Sequence, residues 1–318
     1  MSVNFDEFDT LTREAWIAKA NLDLKGKKDA NDLVYYVEEG LQISAFQTSD
    51  PSHVYAPIVG PQTKSGVLIS SSPESNGIAK KLLENGVEAL SFVIETDTDF
   101  DILFEGIYLD MITVVLVCTN DDIDLSELDA YLSKNYADKN VDIILKNNKN
   151  QIKYKSIVVT LDHNDSFKTR IANASSTIKK VVSSGNYKNS VIDVSLKRDL
   201  LAQIAELRAI RMIWSQILES QNMPFTPLSI ITNTDILLGN MDDVHPLIQV
   251  NYLLMSAYFG MSDVAFGLPY ADDPEMSRLC LNIHHIFREE SMLDRVSDPT
   301  CGSYVVEALT RKMIKIGL

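Results

Sequence analysis

Asp162 and His163 stand side by side directly after the apolar run "SIVVTL". An imidazole titrates near neutral pH and an adjacent carboxylate tunes it, so such a pair at a strand end suits proton transfer. An ordinary solvated loop contains the same pair just as readily. A second cluster lies in "AELRAIRMIW", where Arg208 and Arg211 share a helix face with Glu206 close by. Two guanidiniums so spaced suit a phosphate or carboxylate clamp, and an ion network within the helix would use the same residues. Ser70, Ser71, Ser91 and Thr113 fall at strand positions, where hydroxyls either line a narrow passage along a barrel axis or fill a packed interior. His284 and His285 are sequence neighbours in "MSRLCLNIHHIFREES" and point apart on a helix, so they do not converge on one metal. Asp121, Asp122 and Asp124 lack the spaced Gly and distal Glu of a calcium loop and read as charge at a helix entry. The residues expected to touch a substrate are therefore Arg208, Arg211, Ser70 and His163, with no metal site expected.

Alternating strands and helices would have to position these groups. The runs "GVLISSS", "EALSFVI", "MITVVLVC", "SIVVTL", "NSVIDV", "PLSIITN" and "SDVAFGL" have strand length and strand composition, and helical stretches follow them. Buried strands alternating with helices imply parallel strands joined by crossovers. Seven such units approach the eight of a (β/α)8 TIM-type barrel, the fold class expected over residues 61–318. An open doubly wound sheet is the alternative, weakened by the lack of a Gly-rich phosphate loop after any strand. "LKNNKNQIKYK" reads as a surface hairpin or loop. Residues 1–60 read as an N-terminal arm. Thr12 caps a helix carrying Trp16 and Ile17, Gly26 stops it, and the β-forming "LVYYVEEGLQISAF" follows. The arm either packs on its own domain or wraps a neighbouring subunit.

Composition narrows the partners. A chain of 318 residues, 45% of them hydrophobic, buries a sizeable core. A net charge of −15 and a pI near 4.7 repel phosphate backbones and anionic lipid, so no nucleic acid and no membrane surface is expected as partner. Another protein fits better. No apolar run approaches the roughly 20 residues of a membrane span, and "MSVNFDEFDT" is acidic where targeting peptides are basic, so a cytoplasmic location is expected. Cys118, Cys280 and Cys301 are odd in number and widely spaced, and read as reduced, mostly buried thiols.

The stretch "HHIFREESMLDRVSDPTCGSYVVEALT" resembles the closing part of the substrate barrel of adenosylcobalamin-dependent acyl-CoA mutases, specifically the methylmalonyl-CoA mutase family. That family shows a helix ending Glu-Glu-Ser, a Val-x-Asp-Pro-x-x-Gly-Ser-Tyr turn and a helix opening Val-Glu-x-Leu-Thr. "TREAWIAKANLDLKG", "ESNGIAKKLLENGVEALSFVI" and "IAELRAIRMIW" resemble further family segments in the same order, with an apparent shortening over residues 119–195. The departures carry their own implications. Ile69 and Ser70 stand where the catalytic subunits have Gln-Tyr, Lys168 or a neighbour stands at the family histidine, and Glu206 replaces a family lysine. "PLIQVNYLLMS" replaces an arginine-bearing helix, and no Asp-x-His-x-x-Gly cobalamin loop occurs before the chain stops at "TRKMIKIGL". The resemblance therefore implies a noncatalytic small subunit, binding no cofactor itself, that forms a heterodimer with a large catalytic subunit carrying adenosylcobalamin. A free-standing acyl-CoA-binding barrel, or an accessory protein of the mutase, is the alternative.

Overall fold

A computed structural model of the chain describes residues 12–48, 62–69, 72–120, 123–147, 154–234, 246–267 and 274–318. Helix α1 (Arg13–Leu24) is capped as its sequence requires, with Thr12 Oγ1 accepting from the Ala15 amide at 3.2 Å. It buries none of its side chains; Trp16 stacks on Phe46 with ring centroids 4.9 Å apart. An antiparallel hairpin follows, β1 (Val34–Glu38) and β2 (Leu41–Ser44). Gly40 turns it with φ +78°, a left-handed value that glycine adopts without steric cost.

Eight parallel strands close into a barrel: β3 (Lys64–Ile69), β4 (Ala89–Ile94), β5 (Thr113–Cys118), β6 (Asp142–Lys146), β7 (Lys155–Leu161), β8 (Ser190–Ser195), β9 (Ser229–Asn233) and β10 (Val264–Phe266). Closure comes from β10, which pairs with β9 on one side and with β3 on the other, Val264 opposite Lys64 and Phe266 opposite Gly66. The open-sheet alternative is thereby excluded. Around the strands lie α2 (Ser75–Glu84), α3 (Phe100–Leu103), α4 (Ser126–Asn135), α5 (Phe167–Ser183), α6 (Leu200–Ser220), α7 (Pro246–Phe259), α8 (Pro274–His285) and α9 (Tyr304–Gly317). A π-helical turn, Ile286–Glu290, prolongs α8. The eighth strand is a correction to the seven units expected from the sequence, because Asp142–Lys146 is itself a strand. Between β6 and β7 lie only residues 147–154, fewer than the dozen or so that a helical crossover uses. The shortening noticed in the sequence falls at this unit.

The hairpin packs on the chain's own barrel. Leu41 and Ile43 are buried among apolar residues of α5, α6 and α9. The Glu38 carboxylate accepts from the Phe167 and Lys168 amides at 2.9 and 2.8 Å, satisfying orphan donors at the start of α5. Tyr35 Oη donates to Asp199 at 2.6 Å, and Lys312 Nζ donates to the Gln42 carbonyl at 2.6 Å.

The closing motif acts as a clamp. Arg208, fully buried on α6, donates from Nε and Nη2 to the two Asp298 oxygens at 2.9 Å each. It also reaches Glu307 at 3.0 Å and Thr310 at 3.4 Å on α9. The acid of the Asp-Pro turn, the Glu of Val-Glu and the Thr two residues after Ala308 thus converge on one guanidinium, which fastens α9 across α6. Gly302, at φ +84°, makes the turn between them.

Candidate functional site

The inner face of the barrel is read from alternate residues of each strand. At the amino-terminal mouth Lys64 Nζ donates to Thr113 at 2.7 Å, Thr113 donates to Asp142 at 2.8 Å, and Lys155 pairs with Asp142 at 2.8 Å. A cavity of about 450 Å³ opens there. Two residues further along each strand the layer is apolar: Ala89, Val115, Ile144, Val191, Ile231 and Val264, with Ile157 packed against them. This layer closes the axis. Of the hydroxyls expected along it, Thr113 and Ser91 are buried, and Ser70 and Ser71 lie outside the described residues.

Above the apolar layer, at the carboxyl mouth where barrel enzymes place their chemistry, the interior turns polar again. Asp193, 1% exposed, is the hub. Its Oδ2 accepts from Lys146 Nζ at 2.6 Å and from Thr160 Oγ1 at 3.4 Å, and its Oδ1 accepts from Asn233 Nδ2 at 2.8 Å. Parity explains the convergence: Lys146, Asp193 and Asn233 each follow an inward apolar residue, Ile144, Val191 and Ile231, by two positions. This cluster is not among the residues expected from the sequence. The available signal was that parity, a polar residue two places after the last apolar one in three strands.

Beside the mouth, a second network ties the loops after β7 and β8 together. Arg170 on α5 donates to the Ser195 carbonyl at 2.9 Å and to Glu206 at 2.7 Å, with both side chains fully buried. Gln203 donates to the same Glu206 oxygen at 2.7 Å and accepts from the Lys197 amide at 2.8 Å. Lys197 Nζ donates to the Asp165 carbonyl at 2.6 Å, and burial, then the nearby Arg170, lower its pKa. The charge reversal at Glu206 is thus matched by Arg170.

Asp162 and His163 do follow β7, with His163 Nδ1 3.2 Å from Asp162 Oδ1. The Asn164 amide donates to Asp162 at 2.8 Å and is the main cause holding that carboxyl below the usual range. Arg208 and Arg211 belong to the outer layer, not to the mouth. Arg211 donates to the Leu228 and Met261 carbonyls at 2.6 and 2.5 Å and to Asp263 at 2.9 Å, pinning the segments that enter β9 and β10. The intrahelical ion network is corrected: Glu206, Arg208 and Arg211 each find their ion partners on other elements.

His284 is buried, its Nδ1 3.0 Å from Tyr258 Oη. His285 makes a separate contact, 3.0 Å from the Asn85 carbonyl. Among the described residues no group of His, Cys, Asp and Glu is placed to hold a metal, and no helix is long and apolar enough to cross a membrane. Cys118 and Cys280 are buried, and Cys301 is half-buried.

Burial, then His285 and Arg288, push the His284 pKa down to about 3. The unfolded chain binds a proton near pH 6.5 that the native protein refuses, so this group's contribution is complete above that pH and is lost as pH falls toward 3. From pH 7.5 to pH 5 the loss is about 2 kcal/mol. His284→Gln, which takes up no proton, is expected to lack this part of the dependence in urea titrations at the two pH values. Identical slopes for the two proteins would contradict the assignment.

Strand closure and the layered interior define a (β/α)8 barrel with a filled axis. Residues 192–316 match the family model described as Methylmalonyl-CoA mutase. Over 97% of its length the chain is 25% identical to the methylmalonyl-CoA mutase small subunit of Porphyromonas gingivalis, of which it spans 62%. It is 32% identical to a methylmalonyl-CoA mutase of Cereibacter sphaeroides over 35% of this chain and 17% of that one. The dihydropteroate synthase structure from Yersinia pestis is similar at 10% identity and a TM-score of 0.45, covering 71% of this chain and 93% of that chain, and bears on no functional point. The chain is thus similar to methylmalonyl-CoA mutases over its carboxyl-terminal part, and to a mutase small subunit along nearly its whole length.

Proposed function

We propose that the protein is the noncatalytic small subunit of an adenosylcobalamin-dependent methylmalonyl-CoA mutase, paired with a large subunit that carries out the isomerisation. The observation that most favours this is the apolar layer of Ala89, Val115, Ile144, Val191, Ile231 and Val264 across the barrel axis. A substrate threaded along the axis would have to displace close-packed branched side chains. The positions aligned with the family's reacting residues point the same way. Ile69 is buried in the apolar cluster with α2, and Lys168 is exposed beside the hairpin turn, its Nζ 3.2 Å from where a Cβ on Gly40 would stand. Neither is part of the Lys146, Asp193 and Asn233 cluster at the mouth. The radical rearrangement would rest on the cofactor and on the subunit that positions it.

Two surfaces suit the partner. Helix α1 buries nothing and exposes Leu22 at 72%, and the stretch after α8 exposes Met292 at 54% and Val296 at 62%. Exposed apolar side chains of this kind are the groups that a partner surface would cover. The test is turnover. With methylmalonyl-CoA and adenosylcobalamin the chain alone is expected to yield no succinyl-CoA, and adding it to the large subunit is expected to restore or raise activity. Turnover by the isolated chain would end the proposal.

A further inference from the structure

We infer that the carboxyl mouth of this barrel binds a short hydroxy- or amino-carboxylate through Lys146 and Asn233. The inference stands on the barrel interior and does not depend on a partner subunit. Asp193 is already satisfied, with Asn233 on one oxygen and Lys146 and Thr160 on the other. A carboxylate so occupied orients its neighbours and has little left for a ligand. What it orients is unused. An ammonium carries three donors, and Asp193 takes one from Lys146, whose side chain keeps 28% exposure and so faces the mouth.

Asn233 supplies the complementary group. Its amide nitrogen must face the acceptor-only carboxylate, which fixes the amide's orientation and turns Oδ1 away from Asp193. That oxygen is shielded from solvent and has no hydrogen-bond partner among the described residues. Buried acceptors are nearly always satisfied, and an exception calls for a missing donor. The two groups are bonded to the two oxygens of one carboxylate, so both stand within hydrogen-bond reach of Asp193. A ligand that answers both offers an anionic acceptor to Lys146 and, on the next carbon, a hydroxyl or ammonium donor to Asn233. Phe266 and Val117, packed with the apolar layer, supply a wall for a short alkyl group and limit its depth.

Calorimetry on the full chain with lactate, glycerate and serine tests this, with propionate, which lacks the donor, and methyl lactate, which lacks the carboxylate, as controls. At least one of the first three is expected to bind saturably and to raise the unfolding temperature, because a ligand selective for the native state stabilises it. The controls are expected to bind at least about tenfold more weakly. Lys146→Gln, which keeps a donor for Asp193 while losing the charge, is expected to weaken binding by a similar factor. No binding at millimolar concentration by any of the three, equal binding by the controls, or an unchanged affinity in Lys146→Gln overturns the inference. The ligand comparison uses the unaltered protein, so it decides the matter even where the variant fails to fold.

Discussion

Arg208→Met is expected to remove about 3–5 kcal/mol of folding stability, because it takes one partner from a fully desolvated ion pair. The wild-type guanidinium makes two bonds of 2.9 Å to Asp298 and a third of 3.0 Å to Glu307. Methionine fills much of the same volume, so the loss reflects the acids left behind and not a void. Asp298 is 2% exposed and held at φ +47°, so it has little freedom to turn toward water once the arginine is gone. Urea unfolding at neutral pH measures the difference. Removing the acid as well, in Arg208→Met with Asp298→Asn, is expected to recover part of the loss, since the residual buried charge drops from two carboxylates to one. A single variant within about 1 kcal/mol of wild type would mean that the clamp does not hold α9 to α6.

Phe266→Ala is expected to cost about 3–5 kcal/mol through lost apolar burial and the cavity that remains. The ring occupies the barrel interior over Gly66. A Cβ on that glycine would stand 2.6 Å from Phe266 Cδ1 and 2.9 Å from Val264 Cγ1, so the ring fits because position 66 has no side chain. Gly66→Ala alone should then overpack the layer at about 1–3 kcal/mol. In the double variant the new methyl enters the space the ring vacates, so the pair should cost less than the sum of the single changes. Strict additivity in urea unfolding would show that the two positions do not share this space.

Much of the architecture is legible from the chain because seven of the strands are apolar runs bounded by turns and helices. The exception shows the rule. In β6 the apolar core is only Ile143, Ile144 and Leu145 between Asp142 and Lys146, and the polar stretch "KNNKNQIKYK" follows where the other strands lead into a helical pattern. Both bounding charges point into the barrel, where Asp142 meets Lys64 and Lys155 and Lys146 meets Asp193. A rule that assigns charge to solvent therefore reads the segment as surface.

The mouth cluster was hidden for a related reason. Lys146 and Asp193 are 47 residues apart, Asp193 and Asn233 are 40 apart, and each by itself resembles a solvated strand end. Only closure of the cylinder brings them together. Conversely, Arg208 looks like an anion clamp in sequence because guanidinium pairs serve ligands and folds with the same geometry. Which use prevails depends on acids about a hundred residues away, and the pairs Arg208 with Asp298 and Arg170 with Glu206 exist only after folding.

Sedimentation velocity of the purified chain mixed with the large methylmalonyl-CoA mutase subunit is the most direct measurement of the central claim. One boundary, faster than either protein alone and saturating at equal molar amounts, is the predicted result. Two boundaries that keep their separate rates at every ratio would contradict it.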